Sequence, residues 1–425
     1  MITITSDYLD VNWKVLLDTS ILPTKFSEWD EGDAYTMAEI GTLPSQKVVF
    51  GAIVLEGVQV SDFSIVIRLH KRPGNAKSNA YRSPEGTEYE ATAERVKDQV
   101  SESIAVRVED IAKNLSARRH GLLETDLLKD RSVLIVGLGT GGITVALELA
   151  KAGVGRFVLV DRDRLEIGNV ARHSAGISFV GRRKVAAARD LIRETDPSAV
   201  VEVHAVHADE ESEELLRSLI GSCDLVVCAT DNRPSKLFIN ALCVDMRKNV
   251  IFGGAFRRAY GGQVLRVRPH QSACYHCFVL SMPEREADRE ISSQEDADSI
   301  AYSDRPVSIE PGLSMDVAPI ANMVSKLALQ ELLAGKESTL HMLDRDFEAG
   351  WYFWINRPEP KTDYASLPPL CESSDDITIL RWYGVHFEKE PGCPTCGDFE
   401  GVIRKKYGVE SGTGPLPTQS GSSGI

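Results

Sequence analysis

Short apolar runs alternate with stretches of near-helical spacing between residues 131 and 268. Residues 133–136, 157–160, 200–206, 224–229 and 249–254 are apolar or β-branched and short, as buried strands are. Between them, residues 143–152, 210–220 and 234–246 place apolar positions three and four apart, as helices do. Strands alternating with helices predict an α/β domain, a Rossmann-like, mostly parallel sheet with helices on both faces. Residues 1–90 differ. Residues 2–5, 47–55 and 63–69 read as strands, and residues 13–17 fit a short helix or a strand, so this part is expected to be a small β-rich accessory module. Residues 71–91 form a polar connection containing Pro and Gly. Residues 91–114 are expected as one long amphipathic helix, because Val96, Val100, Ile104, Val108 and Ile111 fall at spacings of four and three.

The first predicted strand runs straight into Gly137, Gly139 and Gly142, a G-x-G-x-x-G turn that opens the first helix. The second strand ends on Asp161, about 20 residues on, where an acid can accept hydrogen bonds from a ribose. Glycines there let phosphate approach the backbone, and the helix N-terminus offers free N–H groups to an anion. A nucleotide site follows from this context, since the glycine motif alone is weak. The fourth strand ends on Ala229-Thr230-Asp231-Asn232, so Asp231 shares the carboxyl-end rim with the glycine turn and Asp161.

Cysteine usage adds a metal. Cys274 and Cys277 form one C-x-x-C pair, and Cys393 and Cys396 a second, followed by Gly397. Four thiolates suit structural zinc, and the wide separation of the pairs means the metal pins a C-terminal segment, residues 346–407, back onto the core. His276, inside the first pair, is read as a bystander. Cys223, Cys228 and Cys243 lie in apolar or helical contexts and read as buried thiols.

Composition bounds the rest. The 425 residues suit two or three domains, and 43% hydrophobic with 26% charged residues is globular. A formal charge of −14 disfavours nucleic acid, which needs a basic face. No apolar run approaches the ~20 residues of a membrane span, and the N-terminus lacks signal-peptide order, so a cytoplasmic protein is expected. Residues 283–306 are dense in charge and read as a mobile crossover loop. Residues 408–425, rich in Gly, Ser, Thr and Pro, read as a disordered tail.

From Asp161 the chain continues through Asp163, Asn169 and Arg172 to Gly181 and Lys184. This closely resembles the D-x-D-x-V-x-x-x-N-L-x-R…G-x-x-K series of the ThiF/MoeB/ubiquitin-activating-enzyme superfamily, and Ala229 to Asn232 resemble its (C/A)-T-D-N. The resemblance covers about residues 118–345 and a short segment near residue 393. It implies a ThiF-type adenylation domain over residues 91–345, with the nucleotide-binding core at 131–268. It also implies ATP and Mg²⁺ as cofactors beside zinc. Asp161 would take the ribose, and Asn169, Arg172 and Lys184 the phosphates. Asp231, followed by Asn232, would take Mg²⁺. Arg119, about 12 residues before the first strand, would reach ATP phosphates across a homodimer.

By the same resemblance the substrate is the C-terminal glycine of a small ubiquitin-like or sulfur-carrier protein. The N-terminal module and the charged loop look like those of bacterial ubiquitin-like conjugation relatives, which implies handover to a conjugating enzyme. In the superfamily the crossover loop often carries a thioester cysteine, but residues 283–306 contain none. Cys371, the only cysteine between the two pairs, is then the candidate thiol, with a non-catalytic loop thiol as the alternative. Two other readings stay open. One is a non-catalytic half-dimer that binds such a carrier. The other is an NAD-dependent oxidoreductase, for which no hydride-transfer residues are evident.

Overall fold

A computed structural model describes residues 2–5, 14–18, 36–43, 47–60, 65–71, 80–82, 86–97, 100–109, 123–282, 312–360, 362–368, 370, 376–399 and 401–402. Arg119, Cys371, the predicted crossover loop at 283–306 and the predicted tail at 408–425 lie outside the described residues. The chain divides into two units, Met1–Arg118 and Arg119–Ile425.

The first unit holds β1 (Ile2–Thr5), β2 (Lys14–Asp18), β3 (Thr36–Leu43), β4 (Lys47–Leu55), β5 (Ile65–Lys71), β6 (Ala80–Arg82), β7 (Glu88–Lys97) and β8 (Val100–Glu109). They pair in the order β5-β4-β3-β1-β2-β8-β7-β6, and β5 also pairs with β7, so the sheet closes on itself. Closure satisfies backbone edges that would otherwise recruit foreign strands. The segment left open between helix and strand near residue 15 is β2, which runs parallel to β8.

Residues 91–109 correct the expected helix. They belong to an antiparallel hairpin, β7 with β8, in which Lys97 faces Val100 and Ala93 faces Ile104. The cause lies in the period. Val96, Val100, Ile104 and Val108 are four apart, and a spacing of four fits both one helical turn and two strand repeats. Ala91 and Ala93, two apart, are fully buried, whereas Val100 is 67% exposed. The strand period decides the burial.

The second unit alternates strands and helices. Its elements are β9 (Ser132–Val136), α1 (Thr140–Ala152), β10 (Arg156–Val160), α2 (Lys184–Thr195), β11 (Val200–His204), α3 (Glu213–Ser222), β12 (Leu225–Cys228), α4 (Arg233–Asp245) and β13 (Val250–Ala255). There follow β14 (Gly261–Val267), α5 (Tyr275–Ser281), α6 (Ser314–Leu332), β15 (Trp351–Ile355) and β16 (Trp382–Val385). The sheet order is β11-β10-β9-β12-β13-β14-β15-β16. Strands β9 to β13 run parallel, and β14, β15 and β16 add antiparallel.

Alternate residues of each strand enter opposite cores. Val133, Ile135, Phe157 and Leu159 pack with α1, α2 and α6. Leu134, Val136, Val158 and Val160 pack with α3, α4 and α5. A sheet buried on both faces needs near-continuous apolar strands, which is why these runs were legible in the sequence. Helix α6 lies close against β13 and β14. A Cβ on Gly253 would meet Val324 at 2.8 Å, and one on Gly262 would meet Ile320 at 2.7 Å.

Strand order reverses between β9 and β12, the two strands that follow opposite crossovers. At such a switch point the loops leaving the carboxyl ends diverge and leave a crevice. The register sets the rim level, since Val136 faces both Val160 and Cys228. The next residues, Gly137, Asp161 and Ala229, therefore start three loops side by side.

Candidate functional site

The turn after β9 is built by the chain's own crowding. Gly137 has φ 90°, and a Cβ there would meet the backbone of Ala229 and Thr230 at 2.8 Å. A Cβ on Gly142 would sit 1.9 Å from the Gly137 carbonyl oxygen. Both glycines are demanded by packing within the fold. Gly139 is not, because its φ is −68° and a Cβ there meets nothing within 4 Å. It faces space kept open at the N-terminus of α1. The first helical bond is donated by Ile143 to the Gly139 carbonyl, and no side chain caps the helix. Among the described residues the N–H groups of residues 139–142 have no acceptor, as the first N–H groups of a helix do. Oriented free donors at a helix N-terminus form an anion site.

Asp161 braces the turn. Its Oδ2 accepts the Leu138 N–H at 2.7 Å and its Oδ1 the Asp163 N–H at 2.7 Å. Burial raises its pKa above the usual aspartate value, against the opposing pull of Lys184 and the two N–H groups. Each oxygen keeps acceptor capacity for a further donor.

Lys184 is the first residue of α2, and its N–H donates to the Asp163 carbonyl at 2.9 Å. Its Nζ donates to Asp163 Oδ2 at 2.8 Å. The ammonium is thus paired with a carboxylate at the edge of the open space. Arg172 is half-buried, and among the described residues its guanidinium has no ion-pair or hydrogen-bond partner. Asn169 closes a local turn, its Oδ1 accepting the Glu166 N–H at 3.0 Å in a reciprocal cap. Asn232 caps α4, accepting the Ser235 N–H at 2.9 Å. Asp231 is exposed on the rim, and among the described residues its carboxylate has no partner.

One residue of this site was missed in the sequence. His173 is buried, at 8% exposure, and its Nε2 lies 3.0 Å from the Leu138 carbonyl oxygen. Its Nδ1 accepts the Ala175 N–H at 3.0 Å. Burial lowers its pKa below the usual histidine value. Its partner is 35 residues away and is a backbone group, so no side-chain pattern announces it.

The four predicted metal cysteines converge. Cys274, Cys277, Cys393 and Cys396 place all four sulfurs within 4.8 Å of one another. Sulfur separations are 3.8 Å for Cys274–Cys277, 3.7 Å for Cys274–Cys393 and 3.3 Å for Cys277–Cys396. A zinc tetrahedron with bonds of about 2.3 Å requires about 3.8 Å between sulfurs, so the set fits zinc and is too wide for a disulfide. The surroundings fit as well. The Glu390 N–H points at Cys277 Sγ at 3.4 Å. The Cys274 sulfur and that N–H draw the pKa of the Cys277 thiol down. Asn240 fixes the knuckle by accepting the Tyr275 N–H at 2.9 Å, and among the described residues its buried Nδ2 has no acceptor. A Cys274 thiolate would accept it. His276 stands aside from the sulfurs, with Nδ1 2.9 Å from Thr395 Oγ1. Cys223, Cys228 and Cys243 are buried, as read.

The structure thus brings the glycine turn, Asp161, Asp163, Lys184 and Asp231 to one rim, with Asn169 and Arg172 on the segment between β10 and α2. It gathers the four cysteines in a second cluster, on the sheet face covered by α4 and α5.

Residues 111–343, more than half the chain, match the model of the ThiF family. Over 160 residues the chain is 36% identical to an adenylyltransferase and sulfurtransferase MOCS3-1 of Zea mays, a match covering 37% of this chain and 32% of the maize protein. Over 172 residues it is 27% identical to ubiquitin-like modifier-activating enzyme 5 of Caenorhabditis elegans, covering 38% of this chain and 41% of the worm protein. The match therefore spans well under half the length of these relatives. A crystal structure of E. coli MccB with ATP aligns with TM-score 0.45 and 17% identity over 64% of this chain and 68% of that one. No helix among the described residues is long and apolar enough to cross a membrane.

Proposed function

Given that this chain belongs to the ThiF family, we propose that it uses ATP to adenylate the C-terminal glycine carboxylate of a small ubiquitin-like or sulfur-carrier protein. The observation that carries this reading is the open space at the N-terminus of α1. Free N–H groups face it, Gly139 leaves it clear, and Lys184, Asp161 and Asp231 stand around it.

The reaction asks little covalent chemistry of the protein. A carboxylate oxygen of the carrier attacks the α-phosphorus, the bond from that phosphorus to the bridging oxygen breaks, and pyrophosphate leaves with the electron pair. A carboxylate is ionised at neutral pH, so no general base is needed. Catalysis is then positioning and charge neutralisation. The N–H groups of residues 139–142 would hold phosphate oxygens, and Asp161 the ribose. Lys184 would exchange Asp163 for a phosphate, and Arg172 is a second cation, without a competing partner among the described residues. Asn169 and Asn232 would act chiefly by fixing the turns that present Arg172 and Asp231. Asp231 is the free carboxylate that would hold Mg²⁺, whose charge neutralises phosphate oxygens. Arg119 would add charge from a second subunit. Zinc on the four cysteines would hold the C-terminal segment to the core. The activated carrier would pass to a thiol acceptor, for which Cys371 is the candidate in this chain, or to a conjugating enzyme.

ATP–pyrophosphate exchange tests the reading. Exchange is expected only when a small protein ending in glycine is added. No exchange across a panel of such carriers, with Mg·ATP bound, would refute adenylation and favour a carrier-binding half-dimer.

A further inference from the structure

We propose that His173, as the neutral Nε2–H tautomer, is a positioning residue that aims the Gly139 N–H at the bound phosphate. The inference rests on the nucleotide reading above and adds to it the group that sets the glycine turn.

The tautomer follows from the neighbours. The Ala175 N–H can only donate, so Nδ1 must carry a lone pair. In a neutral ring the proton is then on Nε2, which donates to the Leu138 carbonyl at 3.0 Å. The same residue's N–H is held by Asp161 Oδ2 at 2.7 Å. Leu138 is therefore fixed at both ends, by two side chains of the segment between β10 and α2. A trans peptide is planar, and its C=O and following N–H point in opposite directions. Tying the Leu138 carbonyl to His173 therefore turns the Gly139 N–H away from the imidazole, and that N–H has no acceptor among the described residues.

Protonation would undo this. A second ring proton on Nδ1 would face the Ala175 N–H, donor against donor, and the ring would have to move. The charged groups facing the ring are Asp161 from the end of β10, Lys184 from the start of α2 and Arg172 beside it in sequence. Burial and the two cations oppose the imidazolium, so the clamp is set at neutral pH and releases on the acid side.

The test is calorimetric titration of the full chain with Mg·ATP on wild type, His173→Gln and His173→Asn, with thermal unfolding of each. Gln places an amide donor about as far out as Nε2 and can still bond Leu138, while losing the Ala175 contact. Asn is too short to reach Leu138. The expected result is a Kd for Gln within about threefold of wild type, and a Kd for Asn raised about tenfold or more, as for a lost hydrogen bond to a charged group. Gln is also nearer imidazole in size than Asn, so thermal unfolding reads the packing loss of each variant separately, and the pH arm carries what packing alone would not move. In a second arm, wild type should lose affinity relative to Gln as pH falls below the ordinary histidine value. Asn binding like wild type, or Gln as weak as Asn with both folded, would overturn the proposal. So would the same acid loss in Gln as in wild type. Should Asn not fold, the pH comparison of wild type with Gln carries the test alone. If wild type binds no Mg·ATP, the nucleotide reading fails instead.

Discussion

Gly139 and Gly142 stand three residues apart in one motif, yet the structure assigns them opposite roles, and alanine at each separates the two. At Gly142 a Cβ would lie 1.9 Å from the Gly137 carbonyl oxygen, more than 1 Å inside the closest approach that real Cβ atoms make. Alanine in a helix is intrinsically about 1 kcal/mol better than glycine. Overpacking against an immovable backbone costs about 1–3 kcal/mol and occasionally more. Here the obstacle is the glycine turn itself, itself pinned by Ala229 and Thr230, so the steric cost wins. Gly142→Ala should destabilise by about 2 kcal/mol, a fall of about 3 °C in Tm for the Arg119–Ile425 unit. At Gly139 nothing lies within 4 Å of the added methyl, and φ is −68°. Gly139→Ala should leave Tm unchanged or raise it slightly, because the unfolded chain loses freedom. The methyl would instead occupy the phosphate's place and cost at least one hydrogen bond to a charged group, about 1.5–3 kcal/mol, or more than tenfold in Kd. Thermal unfolding and calorimetry with Mg·ATP read the two quantities separately. Gly139→Ala binding Mg·ATP as tightly as wild type would refute the claim that this space receives phosphate.

Three further outcomes follow from other parts of the molecule. Cys393→Ser should abolish bound zinc by metal analysis and make the chain beyond residue 386 sensitive to limited proteolysis, because that segment is tied back through the sulfur cluster. Glu331→Ala should cost about 3–5 kcal/mol in denaturant unfolding. It removes the carboxylate facing Arg266, whose side chain is 4% exposed and keeps only neutral acceptors on Gln330, Phe347 and Ala349, and it also removes the partner of Arg268 and Asn249. Stability should fall as pH drops below about 6.5, the ordinary histidine value. Burial lowers the folded pKa of His173, so the unfolded state binds the proton first and stability rises with pH through this window. Denaturant midpoints against pH should show a smaller acid slope in His173→Gln.

What could be read in the sequence depended on how local its physical cause is. Strands β9, β10, β12 and β13 were legible because a sheet buried on both faces needs continuous apolar runs, and each is short and flanked by a turn. The cysteine pairs were legible because thiolate spacing within each knuckle is fixed by two intervening residues. Residues 91–109 were misread because a spacing of four satisfies both helix and strand, and the choice is made by pairing with β5 and β2, which lie far off in sequence. Strand β16 passed unnoticed, since Trp382–Val385 is half-exposed and gains its partner only from β15. Asn169 and Asn232, expected as ligand contacts, also have a local capping role through Oδ1. Asn is favoured at helix starts for that reason alone. His173 was invisible because a carbonyl acceptor leaves no mark in a side-chain sequence.

The central claim is that the rim at β9, β10 and β12 binds Mg·ATP through the glycine turn and Asp231. Calorimetric titration of wild type and Asp231→Ala with Mg·ATP, and separately with NAD⁺, tests it most directly. The account predicts Mg·ATP binding that weakens in Asp231→Ala and no heat with NAD⁺. Binding of NAD⁺, or Mg·ATP binding indifferent to Asp231, would contradict it.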